Sequence, residues 1–361
     1  MKIFKNRFYT PILTIPLLLS LLGLFFIFEA SSIYSFTLYG DSFYFLKLQL
    51  IWLGLSLGVM LFFALFDYHR LYYLAFLIML SSIIFLILVL IPGFSHQIKG
   101  ARRWLDLGFL NVQPTELAKF SVIIYLAAWF THKERKRFFS FLILLGILMF
   151  LIILQPDMGT ALTIFLLAIF IYFISDNPIL PLLLFLPIFP FVFYALIKIA
   201  PYRLARLKAF LDPSIDPLGI SYHINQIFIS LINGGLFGTG FGASRQKYMY
   251  LPEAHTDSIF AIIAEDFGFI GSVIIIFIYL VFIYRIYHLF LHAPDKFSKL
   301  LIGGIFLLFN LQTIINLAAI VNLIPLTGIS LPFLSYGGSN LLISFALIGV
   351  LINIEKKIKK I

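Results

Sequence analysis

The chain reads as an all-α, polytopic integral membrane protein of about ten transmembrane helices, with large extracytoplasmic loops and both termini in the cytoplasm. Three observations carry that expectation. Hydrophobic residues make up 61% of the 361 and charged residues only 12%, with a mean hydropathy of +1.04, too apolar for a soluble globular chain. The apolar residues fall in runs, most of them long enough to cross a hydrocarbon layer ~30 Å thick. Much of the excess behind the +10 net charge lies in short flanks between runs. There it sets topology and does not point to nucleic acid.

The expected spans are Tyr9–Phe28, Phe43–Phe66, Leu71–Ile91, Glu116–Phe130, Phe141–Leu154, Thr160–Ser175, Pro181–Ile199, Thr256–Tyr284, Leu300–Ile324 and Asn340–Ile354. The fourth to sixth are short for a crossing of ~20 residues, so they extend into their flanks or tilt differently. No cleavable signal is evident, because Tyr9–Phe28 is itself long enough to span. No repeat or linker divides the sequence, and residues 1–361 read as one membrane domain. The absence of cysteine removes disulfides, thiolate metal sites and cysteine nucleophiles.

Orientation follows from the flanks. Lys2, Lys5 and Arg7 precede the first span, and Arg70 lies between the second and third. Lys133, Arg135, Lys136 and Arg137 follow the fourth, and Arg285, Lys296 and Lys299 the eighth. Lys356, Lys357, Lys359 and Lys360 close the chain. All fall on one side of a ten-span path, which is the cytoplasmic side. The opposite side receives the loops rich in glycine, proline and charge.

The first of these outer loops carries Arg102, Arg103, Trp104 and Asp106, then Gln113-Pro-Thr-Glu116 with Lys119 one turn on. Glu116 and Lys119 are i, i+3 neighbours, suited either to a structural ion pair at a helix start or to lining a polar cavity. Asp157 in Gln155-Pro-Asp-Met-Gly-Thr160 precedes a span and is placed to cap it. The long segment from Lys198 to His255 adds Arg203, Arg206, Lys208, Arg245 and Lys247, cations that suit an anionic ligand or lipid head groups. Around Gly234–Ser272 the glycines permit close backbone approach, and Pro252 leads into Glu253, His255 and Asp257. Carboxylates at the mouth of a membrane helix are a functional signal, although Asp257 is also placed to cap the eighth span. Finally, Ser335-Tyr-Gly337-Gly338-Ser-Asn340 opens the last span with a glycine turn, a geometry that offers N–H groups to an anion. The histidines and carboxylates lack metal-site spacing. The Gly238-x-Gly240-x-Gly242 run lacks the strand–turn–helix context of a nucleotide site, and no serine shows a hydrolase partnership.

Taken together these segments resemble the SEDS family (shape, elongation, division and sporulation), which includes RodA, FtsW and SpoVE. Asn316–Asn340, NLAAIVNLIPLTGISLPFLSYGGSN, is similar to that family's signature almost throughout. Gly100-x-Arg102-Arg103-Trp104, Gln113-Pro-Thr-Glu116, Gln155-Pro-Asp-Met-Gly-Thr and Tyr250-Leu-Pro-Glu-Ala-His-Thr-Asp257 match its motifs in the expected order. The segments SRQKYMYLPEAHTD and AEDFG look closer to FtsW and SpoVE than to RodA. Thr115 stands where serine is common, Ser258 where phenylalanine is common and Asp266 where a second glutamate is common.

The resemblance implies a peptidoglycan glycosyltransferase that polymerises lipid II at the outer face of the cytoplasmic membrane, with lipid II flippase as the alternative. It implies a class B penicillin-binding protein as partner, among other divisome or elongasome membrane proteins. Gly303 and Gly304 are the candidate docking contact, with internal packing as the other reading. The family's key aspartate falls on Asp257, the expected catalytic base. Arg102, Glu116, Lys119, Arg206, Lys247, Glu253, His255, Ser335, Gly337 and Gly338 are the expected substrate-binding residues. The cofactor stays unassigned: a divalent cation is compatible with the chemistry, and no dedicated site for one is evident.

Overall fold

Within a bilayer every backbone N–H and C=O must find its partner inside the segment, so apolar runs become helices. The computed structural model describes residues 11–98, 101–106, 108, 111–132, 138–185 and 187–358. Lys2, Lys5, Arg7, Gly100, Lys133, Arg135, Lys136, Arg137, Lys359 and Lys360 lie outside the described residues, as do Met1–Thr10.

The expected first, second and third spans are α1 (Pro11–Tyr39), α2 (Tyr44–Leu65) and α3 (Tyr68–Leu88). After a small antiparallel sheet come α4 (Pro114–Thr131), α5 (Phe138–Leu154) and α6 (Met158–Ile174). The expected seventh span is instead two pieces, α7 (Ile179–Phe185) and α8 (Ile188–Ile199). Pro187 sits at the break, and proline cannot supply the backbone donor a continuous helix needs there. The long outer segment holds α9 (Pro201–Leu211) and α10 (Tyr222–Gly234), and α11 (Ile259–Leu291), α12 (Lys296–Ile320) and α13 (Gly338–Ile358) complete the chain.

Two span boundaries differ from expectation in ways that matter. α1 runs eleven residues past Phe28, to Tyr39, and so carries Glu29 inside a membrane helix, buried. A single acid does not stop a helix whose neighbours supply a partner for it. α11 begins at Ile259, not Thr256, so Asp257 lies in the turn before the helix.

α4, α12 and α13 are buried along most of their lengths, whereas α2, α3 and α11 expose Leu, Ile and Phe along a broad face. Small residues allow the central contacts. A Cβ on Gly304 would meet Ile123 Cγ2 at 2.9 Å, and one on Gly303 would meet Ile174 Cδ1 at 2.5 Å. These glycines are therefore spent on packing α12 against α4 and α6, which rules them out as an outward docking surface. Gly349 packs α13 against the α2 backbone at Met60 in the same way.

Following the helices, Arg70, Arg285, Lys296, Lys299, Lys356 and Lys357 gather at one end. The sheet, the α5–α6 turn, α9, α10 and the loops before α11 and α13 gather at the other. The sheet is formed by β1 (Ser95–Ile98), β2 (Ala101–Asp106) and β3 (Asn111–Val112), in that order, with Ser95 opposite Leu105 and Leu105 opposite Val112.

Candidate functional site

The turn before α11 is built to hold a carboxylate without capping the helix. Glu253 adopts φ 52°, and its carbonyl accepts from the Thr256 N–H at 3.1 Å and the Ser258 N–H at 3.2 Å. That closes Glu253–Ser258 into a compact loop. Ser258 is the N-cap of α11 and makes no side-chain cap; its hydroxyl pairs with His223 Nε2 at 2.8 Å instead. Asp257 is left half-buried, with Thr256 Oγ1 donating to its Oδ1 at a long 3.3 Å. Its carboxyl is pushed up to about 6, first by burial and then by the Glu253 carboxylate, against weaker opposing pulls that include the Thr256 hydroxyl and the Arg206 charge. The capping role and the lowered pKa that a helix dipole would bring are both absent.

Three elements enclose this carboxylate. Asn316, near the end of α12, donates through Nδ2 to the carbonyls of Asp257 and Ile329, both at 2.8 Å. One side chain thus ties the Asp257 turn to the α12–α13 loop. Gly328 in that loop has φ +74°, and a Cβ there would lie 3.7 Å from Asp257 Oδ2. α9 forms the third wall: Arg206 Nη1 donates to the Leu326 carbonyl at 3.2 Å, and the Tyr202 hydroxyl donates to the Pro156 carbonyl at 3.2 Å. Arg103 donates to the Gln155 carbonyl at 3.0 Å and also to that of Pro156. β2, the α5–α6 turn and α9 are therefore stitched through one backbone segment.

The expected site residues divide. Glu253 and Arg206 act electrostatically on Asp257. His255 shares the turn, but its ring lies among Tyr34, Phe45 and Tyr336 at centroid distances of 5.8, 4.5 and 5.5 Å. Its carbonyl accepts from the Tyr336 N–H at 2.9 Å. Ser335 Oγ is engaged by the Leu331 N–H at 2.9 Å. The Gly337 N–H donates to Gln49 at 3.4 Å, and Gly338 lies against the Trp52 ring. Glu116 and Lys119 form an ion pair of 2.6 Å with both side chains over nine-tenths buried. Arg102 is half-buried on β2, its direction opposite to that of Arg103. Lys247 lies in a separate buried cluster, bonded to Glu29 at 3.2 Å and to the Gly242 carbonyl at 2.5 Å.

Asp157 caps α6, accepting from the Thr160 N–H at 3.1 Å, as its place in the sequence predicts. Asn316 and Gly328 were legible only as parts of a long motif, since nothing in an amide or a glycine announces which carbonyl or carboxylate it will face. Among the described residues no group of three or more His, Asp or Glu side chains converges as a metal site. A cleft of 680 Å³ lined by Tyr72, Tyr125, Trp129 and His132 lies at the opposite end and carries no carboxylate.

Comparison with known proteins adds identity to this geometry. A family model described as "Cell cycle protein", covering FtsW, RodA and SpoVE, matches residues 9–360. The chain is 39% identical to a probable peptidoglycan glycosyltransferase FtsW of Trichlorobacter lovleyi, over 93% of this chain and 90% of that one. It is 38% identical to stage V sporulation protein E of Bacillus subtilis, over 95% of each. Among solved structures, one describing how a peptidoglycan synthase complex coordinates polymerization and crosslinking matches with TM-score 0.75, 27% identity and coverage of 94% and 98%. The rod shape determining protein RodA of Thermus thermophilus matches with TM-score 0.70, 26% identity and coverage of 96% of each chain.

Proposed function

Because the chain belongs to the FtsW/RodA/SpoVE family of cell cycle proteins, we propose that it is a peptidoglycan glycosyltransferase of the inner membrane, polymerising lipid II on the outer face. The observation that carries this reading is Asp257: a half-buried carboxylate with pKa about 6, exempt from capping and enclosed by α9 and the α12–α13 loop. A base with a pKa near the working pH accepts a proton efficiently and is still largely ionised.

In the proposed reaction the acceptor sugar's 4-hydroxyl oxygen attacks the anomeric carbon of the donor. The hydroxyl proton passes to Asp257, the new glycosidic C–O bond forms, and the bond from the anomeric carbon to the lipid diphosphate breaks. Diphosphate is already a good leaving group, so the second carboxylic acid of a glycosidase is not required. Arg206 and Arg102 are the proposed diphosphate contacts, since guanidinium groups bind phosphate oxygens in pairs. Glu116 and Lys119 hold each other at the start of α4, the helix that follows β3. The turn carrying His255, and the segment Ser335–Gly338 bonded to it, form a wall.

A class B penicillin-binding protein is the proposed partner, supplying crosslinking. The test is polymer formation from lipid II in detergent by the purified protein, alone and with that partner. Glycan chains are expected at least in the complex. No polymer in either sample, alongside lipid II translocation in vesicles, overturns the reading in favour of flipping.

A further inference from the structure

Asp257 is aimed by its backbone. Among the described residues the only other side chain bonded to its carboxylate is Thr256, at a long 3.3 Å. The orientation of the following peptide therefore decides where the carboxylate points, because the allowed side-chain rotamers depend on the backbone. That peptide is held from three directions. Asn316 Nδ2, from α12, donates to the Asp257 carbonyl at 2.8 Å. The Ser258 N–H donates to the Glu253 carbonyl at 3.2 Å, within the turn. From α10 comes His223, whose Nε2 lies 2.8 Å from the Ser258 hydroxyl. Ser258 is only 1% exposed, so its hydroxyl needs a partner inside the protein. Either ring tautomer makes the bond, the hydroxyl donating to Nε2 or accepting from Nε2–H.

α10 does not depend on that bond to stay in place. Ile224 and Ile227 are buried along it, and Asn233 Nδ2 donates to Glu265 at 3.3 Å. Gly234 fits α11 so closely that a Cβ would stand 2.0 Å from the Ala264 carbonyl oxygen. Burying two isoleucines outweighs one hydrogen bond, whose net worth is small because water serves both partners in the unfolded chain. The contact between His223 and Ser258 is left to set alignment.

The start of α10 is joined in turn to the segment that follows α9. The Ser221 hydroxyl donates to the Ile215 carbonyl at 2.6 Å, and Asn225 Nδ2 donates to that of Pro213 at 3.3 Å. Asn322 Nδ2, from the α12–α13 loop, reaches the Phe210 carbonyl on α9 at 3.4 Å. The unit that carries Arg206 on α9 thus also carries His223 on α10.

We propose that His223 and Ser258 are positioning residues for the reaction at Asp257. Their hydrogen bond aligns the Asp257–Ser258 peptide with α9 and α10, and so sets the base relative to Arg206. The effect on turnover rests on the polymerase reading; the alignment of the turn does not.

The test uses the purified full chain as wild type, His223→Ala, His223→Gln, Ser258→Ala and the double variant His223→Ala with Ser258→Ala. Ser258→Ala removes a single oxygen, and melting should be nearly unchanged in it. Amide hydrogen exchange over residues 253–258 should quicken roughly 2–10-fold in His223→Ala and in Ser258→Ala, as one net hydrogen bond is lost from the turn. Polymerisation of lipid II should lose about 10-fold in kcat with KM little changed, because a slightly misplaced base still meets a bound substrate. The double variant should be no slower than either single one, since all three lack the same bond. His223→Gln should recover most of both readouts, its amide being able to reach the hydroxyl. Unchanged exchange in the two alanine variants, additive losses in kcat, or a glutamine variant as impaired as the alanine one would each overturn the proposal. A wild type that makes no polymer counts against the polymerase reading, and the exchange rates then judge the alignment separately.

Discussion

Two aspartates placed alike in the sequence, each just before a membrane helix, have opposite fates. Asp67, at the end holding the cationic flanks, is the N-cap of α3: it accepts from the His69 N–H at 3.0 Å and pairs with Lys357 at 2.8 Å. Those partners, led by Lys357, hold its carboxyl well below the usual carboxylate range. Asp257, at the other end, leaves its helix uncapped, and burial and Glu253 push it up to about 6. The end with the cationic flanks spends its acids on fastening helices together; the other end spends Asp157 in that way and keeps Asp257 in reserve. Asp157 and Asp295 side with Asp67, capping α6 and α12.

The comparison breaks most readily at Asp257 itself. Asparagine fills the same space and cannot take a proton, so Asp257→Asn should lower polymerisation by about 10²–10⁴-fold. Melting should barely change, since no cap is lost; an active Asp257→Asn enzyme would return Asp257 to the same class as Asp67. Arg206→Gln comes next. Losing the proposed charged contact to diphosphate, worth about 1.5–3 kcal/mol, should cut kcat/KM roughly 10–100-fold. The residual activity should need a higher pH, because the Arg206 charge now holds Asp257 down.

Gly328→Ala tests the enclosure. A non-glycine residue at φ +74° costs about 1 kcal/mol or more, and the new methyl stands over the carboxylate. Turnover should fall more than stability, as parallel melting and rate measurements would show. Asp67→Asn sharpens the other side and has the smallest effect. Asparagine still caps, so the loss is confined to the half-exposed contacts with Lys357 and the His69 ring, about 0.5–1 kcal/mol. A carboxyl depressed in the folded state stabilises above its unfolded pKa and loses that contribution as pH falls through the folded value. The gap between Asp67→Asn and wild-type melting should therefore be present at neutral pH and close only in strong acid.

The helices were legible because lipid forces apolar runs into one structure; even the short α4, α5 and α6 follow from their runs. Glu29 was not, because an acid after Phe28 reads as a span boundary until its partner, Lys247, is known to arrive from more than two hundred residues away. The break at Pro187 was signalled by proline but hidden within a run that reads as one span. Around the site, the residue types were all visible in the sequence. Capping and catalysis use the same aspartate in the same place before a helix, and only the register of α11, beginning at Ile259, separates them. Lys247 shows the converse: a cation in a polar outer segment looks free for an anion until the structure supplies its carboxylate, Glu29.

The most direct measurement is kcat/KM for lipid II polymerisation against pH, in wild type and Glu253→Gln. A base must be ionised, so activity should be present above about pH 6 and fall below it in the wild type, following the Asp257 carboxyl. Removing the Glu253 charge removes one of the two influences that raise that carboxyl, and the acid limb should move to lower pH. A wild-type limb in the ordinary aspartate range, or one that Glu253→Gln leaves in place, would contradict the assignment of Asp257 as the base.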